Sequence, residues 1–264
     1  MEPELLVERD GGVLLLTMNR PEALNALGGN MMWDMVKALS DAAQDGEIGC
    51  VVLTGAGRGF SAGGDMKARA TGAKPPPSTP EAGADELRAR MECSRLLHEM
   101  PKPTIAMLNG VAAGAGMSLA LACDMRVGGT SARMTTAFAN MGFSGDFGGH
   151  YFLARLVGAS KARELYFTSA KLDAAQMDKL GLLNRLVPDE QLREETMKLA
   201  HQLGNGPRVA WRYMKRNMKI AEEGTLAEAL DAEAIGMMRT RETEDHREAL
   251  RAFMEKRAPK FTGR

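Results

Sequence analysis

One carboxylate, Asp146, lies in the run MGFSGDFGG, where its neighbours are glycine, phenylalanine and serine. An aspartate in a surface turn fits this run and needs no chemical function. A catalytic base fits it equally, because apolar surroundings raise the pKa of a carboxyl group. The nine residues alone leave both interpretations open.

Two loops of small residues have a composition that suits ligand binding. They are FSAGGD (60–65) and AAGAGMS (112–118), and each follows an apolar run that reads as a strand. Glycine and alanine let a ligand approach the backbone closely, and the second loop precedes a helix whose N-terminus favours negative charge. Converging N–H groups form an oxyanion hole, although tight strand–helix packing selects the same residues. Neither loop has the spacing of a nucleotide-binding fingerprint.

Composition excludes several other classes of function. The 264 residues include 34 basic and 34 acidic side chains, so neither nucleic acid nor an anionic membrane is expected as an obligatory partner. Three scattered cysteines predict reduced, buried thiols in a cytoplasmic protein and no metal site. The charged N-terminus and the absence of a long apolar run predict neither a secretory signal nor a membrane span.

Strands alternate with helices over the first two-thirds of the chain, and helices follow, which predicts an α/β fold with a helical appendage. An Asp-Gly-Gly turn predicts a hairpin between the first two strands. The predicted strands are 4–9, 13–18, 48–55, 103–110 and 184–187. The predicted helices are 30–44 (capped by Asn30), 85–100, one beginning at 117–124, 148–157, 160–168, 173–180 and, as a helical region, 207–257. Residues 71–84, rich in Pro, Gly and Ser, are expected to be mobile, and 258–264 irregular.

Four stretches together carry a resemblance to a known family. They are NRPEALNAL, LTGAGRGFSAGGDM, PKPTIAMLNGVAAGAGMSLALACDMRV and LVGASKARELYFTS. From about residue 5 to its C-terminus, the chain resembles the enoyl-CoA hydratase/isomerase (crotonase) superfamily. The resemblance implies a crotonase-like α/β spiral of ββα units over 1–200, which holds an acyl-CoA site. It also implies a helical region over 201–264 for trimerisation and CoA contact, in a homotrimer or homohexamer.

The same resemblance implies an acyl-CoA thioester as substrate, with coenzyme A as part of that substrate and no metal or separate cofactor. The thioester carbonyl would lie between the backbone N–H groups of Gly64 and Ala115. The implied residues that bind the substrate or its CoA are Ala23, Leu24, Ala62, Gly63, Asp65, Met66, Lys67, Phe138, Phe143, Phe253 and Lys256. Of these, Phe253 and Lys256 would reach the CoA of a neighbouring subunit.

The chain departs from the family pattern at two positions. Hydratases of this family use two glutamates, and the matching residues here are Ser118 and Phe138. Adding water across a double bond needs one group to activate water and one to manage the proton, so an ordinary hydratase is not expected. The remaining carboxylate is Asp146, where members with other chemistry, including aromatic acyl-CoA isomerases, have an aspartate. The motif NGVAAGAGMSLAL and the C-terminal RAF…EKR also resemble that branch.

We therefore predict an acyl-CoA isomerase in fatty-acid or aromatic-acid catabolism that shifts a double bond or rearranges an aromatic-derived acyl group. Asp146 would act as its single acid/base, in surroundings made apolar by Phe138, Phe143 and Phe147. Three alternatives remain open: a hydratase that uses Asp146 alone, a hydrolase or dehalogenase with Asp146 as nucleophile, and a non-catalytic acyl-CoA-binding protein. Dehalogenation is disfavoured because GDMKARATG, after the first loop, supplies no histidine base.

Nearby polar residues have simpler predicted roles. His150 is expected to cap a helix or pack in the core, and Ser144 to be a turn residue. Tyr166 and Tyr151 are expected in the core or at the rim of the pocket. Besides its implied place near CoA, Asp65 is expected to hold its loop. The same structural role is expected of Asp124.

Overall fold

The computed structural model describes residues 2–72 and 77–264. Its first two strands form the predicted antiparallel hairpin, with Asp10 paired to Val13 across the turn. The strands are β1 (Leu5–Asp10), β2 (Val13–Met18), β3 (Cys50–Gly55), β4 (Gly59–Ser61), β5 (Thr104–Leu108), β6 (Val111–Ala113), β7 (Met125–Gly129), β8 (Arg133–Thr135), β9 (Leu172–Asp173) and β10 (Arg185–Val187).

The helices occur between these strands and after the last of them. They are α1 (Met31–Gln44), α2 (Met66–Ala70), α3 (Pro80–Arg90), α4 (Glu92–Glu99), α5 (Ala115–Ala122), α6 (Gly149–Val157), α7 (Ala159–Thr168), α8 (Ala174–Lys179), α9 (Leu192–Gly204), α10 (Arg208–Glu223), α11 (Leu226–Arg241) and α12 (Glu244–Glu255). Short 3-10 turns are formed by Pro21–Ala23, Ala139–Met141 and Asp189–Gln191.

The strands form two sheets. One has the order β1-β2-β3-β5-β7-β10 and is parallel apart from β1, while the other has the order β4-β6-β8-β9 and is parallel apart from β9. The pairs β3-β4, β5-β6 and β7-β8 each contribute one strand to each sheet before a helix follows. This repeat is the predicted spiral of ββα units, and it brings the loops after β4 and β6 to neighbouring positions.

The six-stranded sheet is buried on both faces. Along β2, Leu14 and Leu16 belong to the larger apolar cluster, while Val13 and Leu15 belong to a smaller cluster on the opposite face. This alternation follows from the two-residue period of a strand. Helix α9 covers the smaller cluster through three side chains, Leu192, Leu199 and Ala200. Burial on both faces explains why these strands are almost continuously apolar.

Several predicted elements differ from the structure in detail. The Asn30 side chain makes no capping bond, whereas the backbone N–H of Asn30 donates to Glu4 Oε2 at 2.9 Å. The predicted helix 85–100 is divided into α3 and α4, and the predicted helix at 117–124 begins earlier, at Ala115. The helical region 207–257 contains three helices. The short strands β4, β6, β7, β8 and β9 were not predicted.

The predicted mobile segment 71–84 falls partly on residues 73–76, which lie outside the described residues. Beyond them, 80–84 form the start of α3, a helix that the sequence did not predict there, while the mobility of the segment stays a prediction. The Thr79 hydroxyl accepts a hydrogen bond from the Ala82 N–H at 3.1 Å. Threonine at the cap with proline at the first helical position is a strong start signal, which explains the helix.

The C-terminal region is helical as predicted. Helices α10 and α11 pack against each other, and α12 packs on α11. The irregular tail returns to α12, where the buried Asp245 carboxylate accepts from the N–H groups of Thr262 and Gly263 at 2.7 and 3.0 Å. The division between the spiral core and the C-terminal region after residue 200 stays a prediction. Residue 200 lies inside α9, so the nearest break between helices falls after Gly204.

Two further expectations concern the cysteines and the membrane. All three cysteines are unpaired and buried, as the sequence predicted: Cys50, Cys93 and Cys123. Across residues 2–72 and 77–264, no helix has both the length and the apolar character needed to cross a membrane.

Candidate active site

The first loop is held against the turn that precedes α1. The Ala62 N–H donates to the Leu24 carbonyl at 2.8 Å, and the Leu27 N–H donates to the Gly63 carbonyl at 2.7 Å. Leu24 itself has a left-handed φ of 49° at the end of the 3-10 turn that contains Ala23. The structure therefore brings Leu24, which follows Ala23, next to Ala62, and the implied contact of these residues with CoA stays a prediction.

Asp65 anchors the far end of this loop. Its Oδ1 accepts from the Ala68 N–H at 2.9 Å and caps α2, while its Oδ2 accepts from Arg20 Nη2 at 2.9 Å. These two interactions hold the pKa of Asp65 below its usual value, with the backbone bond as the larger cause. The carboxylate is thus occupied in fixing the loop, and α2 carries Met66 and the exposed Lys67 beside it.

The two small-residue loops are in direct backbone contact. A Cβ atom on Gly63 would lie 2.5 Å from the Ala113 carbonyl oxygen and 3.2 Å from the Ala115 nitrogen. Ala115 begins α5, so its N–H has no acceptor in a preceding turn. Within the described chain, neither that N–H nor the Gly64 N–H donates to another protein group. The geometry leaves both N–H groups free to bind an oxygen atom.

The two positions that match the family's glutamates lie beside the second loop. Ser118 is fully buried in α5, and its hydroxyl donates to the Gly114 carbonyl at 3.3 Å. Phe138 is also buried, and its ring would lie 3.6 Å from a Cβ on Gly114. Neither side chain can take up or release a proton in the neutral pH range, so acid–base chemistry here needs another residue.

Asp146 lies in a tight turn before α6. Three of its neighbours have left-handed φ values: Gly145 (119°), Phe147 (51°) and Gly148 (77°). Such a φ is strained for a bulky residue such as phenylalanine. The Gly149 N–H closes the turn by donating to the Asp146 carbonyl at 3.2 Å. This backbone path directs the Asp146 side chain inward although its loop lies at the surface.

The Asp146 carboxyl group is in an apolar setting. Its Oδ1 is buried and has no hydrogen-bond partner. Burial raises the pKa of Asp146 to about 6, and the positive charge of Arg69 opposes that shift. Phe138 and Phe147 are buried, whereas Phe143 is 45 % exposed, and the prediction that these rings surround the carboxyl group stays a prediction. A pKa near neutrality suits a group that both accepts and returns a proton.

Arg69 links α2 to the turn that carries Asp146. Its guanidinium lies 5.5 Å from the centre of the Phe143 ring, within the range of a cation–π interaction. It is also the charge that lowers the pKa of Asp146. The sequence did not single out Arg69, because the stretch around it has no recognisable pattern.

A cavity of about 380 Å³ lies beside this turn. Its walls are mainly aromatic and aliphatic, which is typical of a small-molecule site. The lining residues are Phe138, Ala139, Phe143, Ser144, His150, Ala154, Ala159, Ala162, Arg163, Tyr166 and Phe167.

His150 and Tyr166 form one wall of this cavity. The prediction for His150 is wrong, because it is exposed and makes no capping bond; its ring stacks on Tyr166 at 4.0 Å. Tyr166 is buried, as predicted, and its hydroxyl has no partner. Ser144 is exposed in the turn, as predicted. No local pattern ties Tyr166 to Asp146, since they lie on different elements.

Three predicted residues have other surroundings. Asp124 accepts hydrogen bonds from Lys215 Nζ at 2.7 Å and from the Thr104 N–H at 2.8 Å, which confirms its structural role. Phe253 is 80 % exposed on α12, and Lys256 ends that helix with a left-handed φ of 54°. Their contact with CoA in a neighbouring subunit stays a prediction.

Comparison with known proteins agrees with this architecture. Residues 8–264 match the family model for enoyl-CoA hydratase/isomerase. The chain is 36 % identical to a 1,2-epoxyphenylacetyl-CoA isomerase of Escherichia coli over 98 % of both chains, and 34 % identical to a 2,3-dehydroadipyl-CoA hydratase of the same organism over 99 % of both. The first relative is an isomerase of the branch that the sequence indicated.

Solved structures support the same conclusion. An enoyl-CoA hydratase from Polaromonas sp. JS666 superimposes with a TM-score of 0.90 at 32 % identity, over 97 % of this chain and 98 % of that one. An enoyl-CoA hydratase from Bacillus anthracis superimposes with a TM-score of 0.91 at 28 % identity, over 99 % of this chain and 100 % of that one. The spiral fold and the nearly complete match together show that the chain belongs to the enoyl-CoA hydratase/isomerase, or crotonase, family.

Proposed function

We propose that the protein is an acyl-CoA isomerase that moves a double bond, or rearranges an aromatic-derived acyl group, through a thioester enolate. The observation that carries the proposal is Asp146, a half-buried residue whose Oδ1 is buried without a partner and whose pKa is raised to about 6. A 1,3-proton shift needs one such group. Hydration needs two, and the positions of the family's glutamates are Ser118 and Phe138.

In the proposed reaction, Asp146 removes a proton from C2 of a 3-enoyl thioester. The electron pair of the broken C–H bond delocalises over the conjugated system to the thioester oxygen, which gives a dienolate. The N–H groups of Gly64 and Ala115 donate to that oxygen and stabilise its negative charge. Asp146 then returns the proton to C4, so the double bond moves from C3–C4 to C2–C3 and the base is restored. Each N–H donor of this kind contributes roughly 3 kcal/mol of transition-state stabilisation.

The remaining site residues have binding roles in this proposal. The turn at Ala23 and Leu24, together with the loop from Ala62 to Lys67, holds the CoA part of the substrate. The acyl group enters the cavity beside Phe138 and Phe143, whose volume of about 380 Å³ suits a small acyl or ring-containing group. The relatives named as acting on epoxyphenylacetyl-CoA and dehydroadipyl-CoA support an unsaturated acyl thioester as substrate.

We also propose a homotrimer or homohexamer. The supporting observation is a set of large apolar side chains that are exposed on the C-terminal helices, since exposed apolar patches mark interaction surfaces. They are Met214, Met218, Leu226, Leu230, Ile235, Met237, Met238, Leu250, Phe253 and Met254. Light scattering in solution tests the proposal, and a monomer would contradict the shared CoA contact of Phe253 and Lys256. The predicted cytoplasmic location stays a prediction.

The function is tested by mixing the protein with trans-3-enoyl-CoA and following the absorbance of the conjugated 2-enoyl thioester. Asp146→Asn removes the base, and Asp178→Asn makes the same change at an exposed position on α8. We expect conversion by the wild type and by Asp178→Asn, with a loss of at least about a hundredfold in Asp146→Asn. Consumption of 2-enoyl-CoA alone would show a hydratase, and binding of both thioesters without reaction would favour a non-catalytic protein.

A further inference from the structure

Tyr166 holds a hydroxyl group in the site that the proposed reaction does not use. The side chain is 8 % exposed, and its Oη is buried without a hydrogen-bond partner. Its ring stacks on His150, with centres 4.0 Å apart and planes at 15°, and on Phe138, with centres 6.0 Å apart and planes at 4°. Because two rings restrict it, the phenol cannot swing away to find water.

The Tyr166 hydroxyl is directed at the turn that carries Asp146. A Cβ atom on Gly149 would overlap both Tyr166 Oη and Ser118 Oγ, so the two hydroxyl groups border the same α-carbon. The Gly149 N–H is bonded to the Asp146 carbonyl at 3.2 Å, which places the phenol oxygen beside this short turn. Consistent with that placement, burial and the negative charge of Asp146 both raise the pKa of Tyr166.

Two buried polar atoms, Asp146 Oδ1 and Tyr166 Oη, are thus without partners at the same turn. A buried donor or acceptor that is left without a partner destabilises the structure that holds it. One is an acceptor when ionised and the other is a donor, so they are complementary. Hydrogen bonds in catalytic sites are often long in the free enzyme and tighten when substrate binds.

We propose that Tyr166 is a positioning residue whose hydroxyl donates a hydrogen bond to the Asp146 carboxylate when acyl-CoA occupies the site. The inference rests on the proposed role of Asp146 as the base. The turn has the freedom to make this adjustment, since Gly145 and Gly148 flank Asp146 and Phe147. The bond would orient the carboxylate and keep it ionised after substrate has excluded water.

A bond to the ionised form lowers the pKa of a carboxyl group, which opposes the effect of burial. Other titratable and charged groups lie near this turn. The positive charge of Arg69 from α2 lowers the pKa of Asp146, while His150 from the start of α6 and Arg163 and Tyr166 from α7 line the cavity beside the turn. Ser118 from α5 is uncharged, but its oxygen is a competing acceptor for the phenol. Removing the Tyr166 hydroxyl alone isolates its contribution.

The first test compares Tyr166→Phe with wild type in the pH dependence of kcat, which reports the substrate complex. Losing one hydrogen bond to a charged group should raise the pH at which kcat falls by about one unit. Below that pH, the kcat of Tyr166→Phe should be about tenfold lower than that of the wild type, and at high pH the two values should differ little. Tyr151→Phe is the matched control, because the Tyr151 hydroxyl bonds the exposed Glu223 at 2.6 Å. An unshifted profile in Tyr166→Phe would overturn the proposal and favour a bond from Tyr166 to Ser118.

A second test does not depend on turnover. The Asp146 carboxyl is titrated by ¹³C NMR with saturated butyryl-CoA bound, its signal being assigned by its loss in Asp146→Asn. Tyr166→Phe should raise the pKa of Asp146 by about one unit, while Tyr151→Phe and His150→Phe should not reproduce that rise. An equal rise in His150→Phe, or none in Tyr166→Phe, would overturn the inference. If the NMR shift is found in a protein that converts no enoyl thioester, the Tyr166–Asp146 bond stands and the isomerase proposal fails.

Discussion

Gly63 packs directly on the backbone of Ala115: a Cβ atom at position 63 would lie 3.2 Å from the Ala115 nitrogen. The φ of Gly63 is +85°, a conformation that other residues rarely adopt. One glycine therefore sets how closely the loop after β4 approaches the start of α5. In the proposed reaction this approach places the Gly64 and Ala115 N–H groups around one oxygen atom.

Gly63→Ala should separate these two N–H groups. The added methyl would also collide with the Ala113 carbonyl oxygen, which lies 2.5 Å from its position. We expect kcat for 3-enoyl-CoA to fall about a hundredfold or more, which is the usual cost of losing one oxyanion donor. Gly46→Ala is the control, since a Cβ there meets no atom within 4 Å and the residue follows α1, outside both loops. Full activity in Gly63→Ala would contradict the oxyanion role.

The pH dependence of isomerisation should reflect Asp146. Only the ionised carboxylate can accept a proton, and burial raises its pKa to about 6. The rate kcat/KM should therefore increase with pH through about 6 and level off above it. The measurement is initial rate against pH at low substrate concentration. If kcat/KM instead rose through about pH 4, as expected for an exposed aspartate, Asp146 would either not be desolvated or not be the base.

Arg69 should affect the pH at which kcat/KM rises, which is the acid limb of the rate profile. Its positive charge favours the ionised form of Asp146, so Arg69→Gln should raise the pKa of Asp146 and shift the limb to higher pH. The matched control is Arg193→Gln, at an exposed position on α9. Rate profiles for both variants provide the check. A limb that moves to lower pH in Arg69→Gln would contradict the electrostatic assignment.

Asp146 should also lower the stability of the folded protein. The pKa of this carboxyl group is 3.8 in the unfolded chain and about 6 in the folded protein, so the folded protein binds more protons between these pH values. The free energy of unfolding therefore falls as pH increases from 3.8 to about 6. Above pH 6 the full cost of the buried charge applies. We expect Asp146→Asn to have a higher Tm than wild type at pH 8, with the difference vanishing near pH 3.5. A lower Tm for the variant at pH 8 would contradict this account.

The parts of the fold predicted correctly are those with long patterns. The apolar runs of β2, β3 and β5, the hairpin turn and helices α1, α6 and α7 all have enough residues for a period to show. Strands of two or three residues, such as β6 and β8, are too short for that, and β6 lies within a run that reads as a loop. Their pairing comes from neighbouring strands, not from local sequence.

The site was predictable where it depends on short motifs. The two loops and Asp146 stand out by composition. Nothing in the sequence singles out Arg69, and for Tyr166, within LVGASKARELYFTS, it predicted only a place in the core or at the rim of the pocket. Tyr166 follows Asp146 by twenty residues, and only the packing of α7 beside the turn brings them together. The position of His150 was wrongly predicted for the same reason, because its stacking partner is on another helix.

The most direct test of Asp146 as the base is the rate at which it breaks the C2–H bond. Incubating 2-deuterated 3-enoyl-CoA with wild type, Asp146→Asn and Asp178→Asn, and following the label by NMR, detects this step even when no product is released. We predict loss of deuterium from C2, or its transfer to C4, in wild type and Asp178→Asn, and a rate at least about a hundredfold lower in Asp146→Asn. Loss of C2 deuterium at the wild-type rate in Asp146→Asn would show that another group removes the proton.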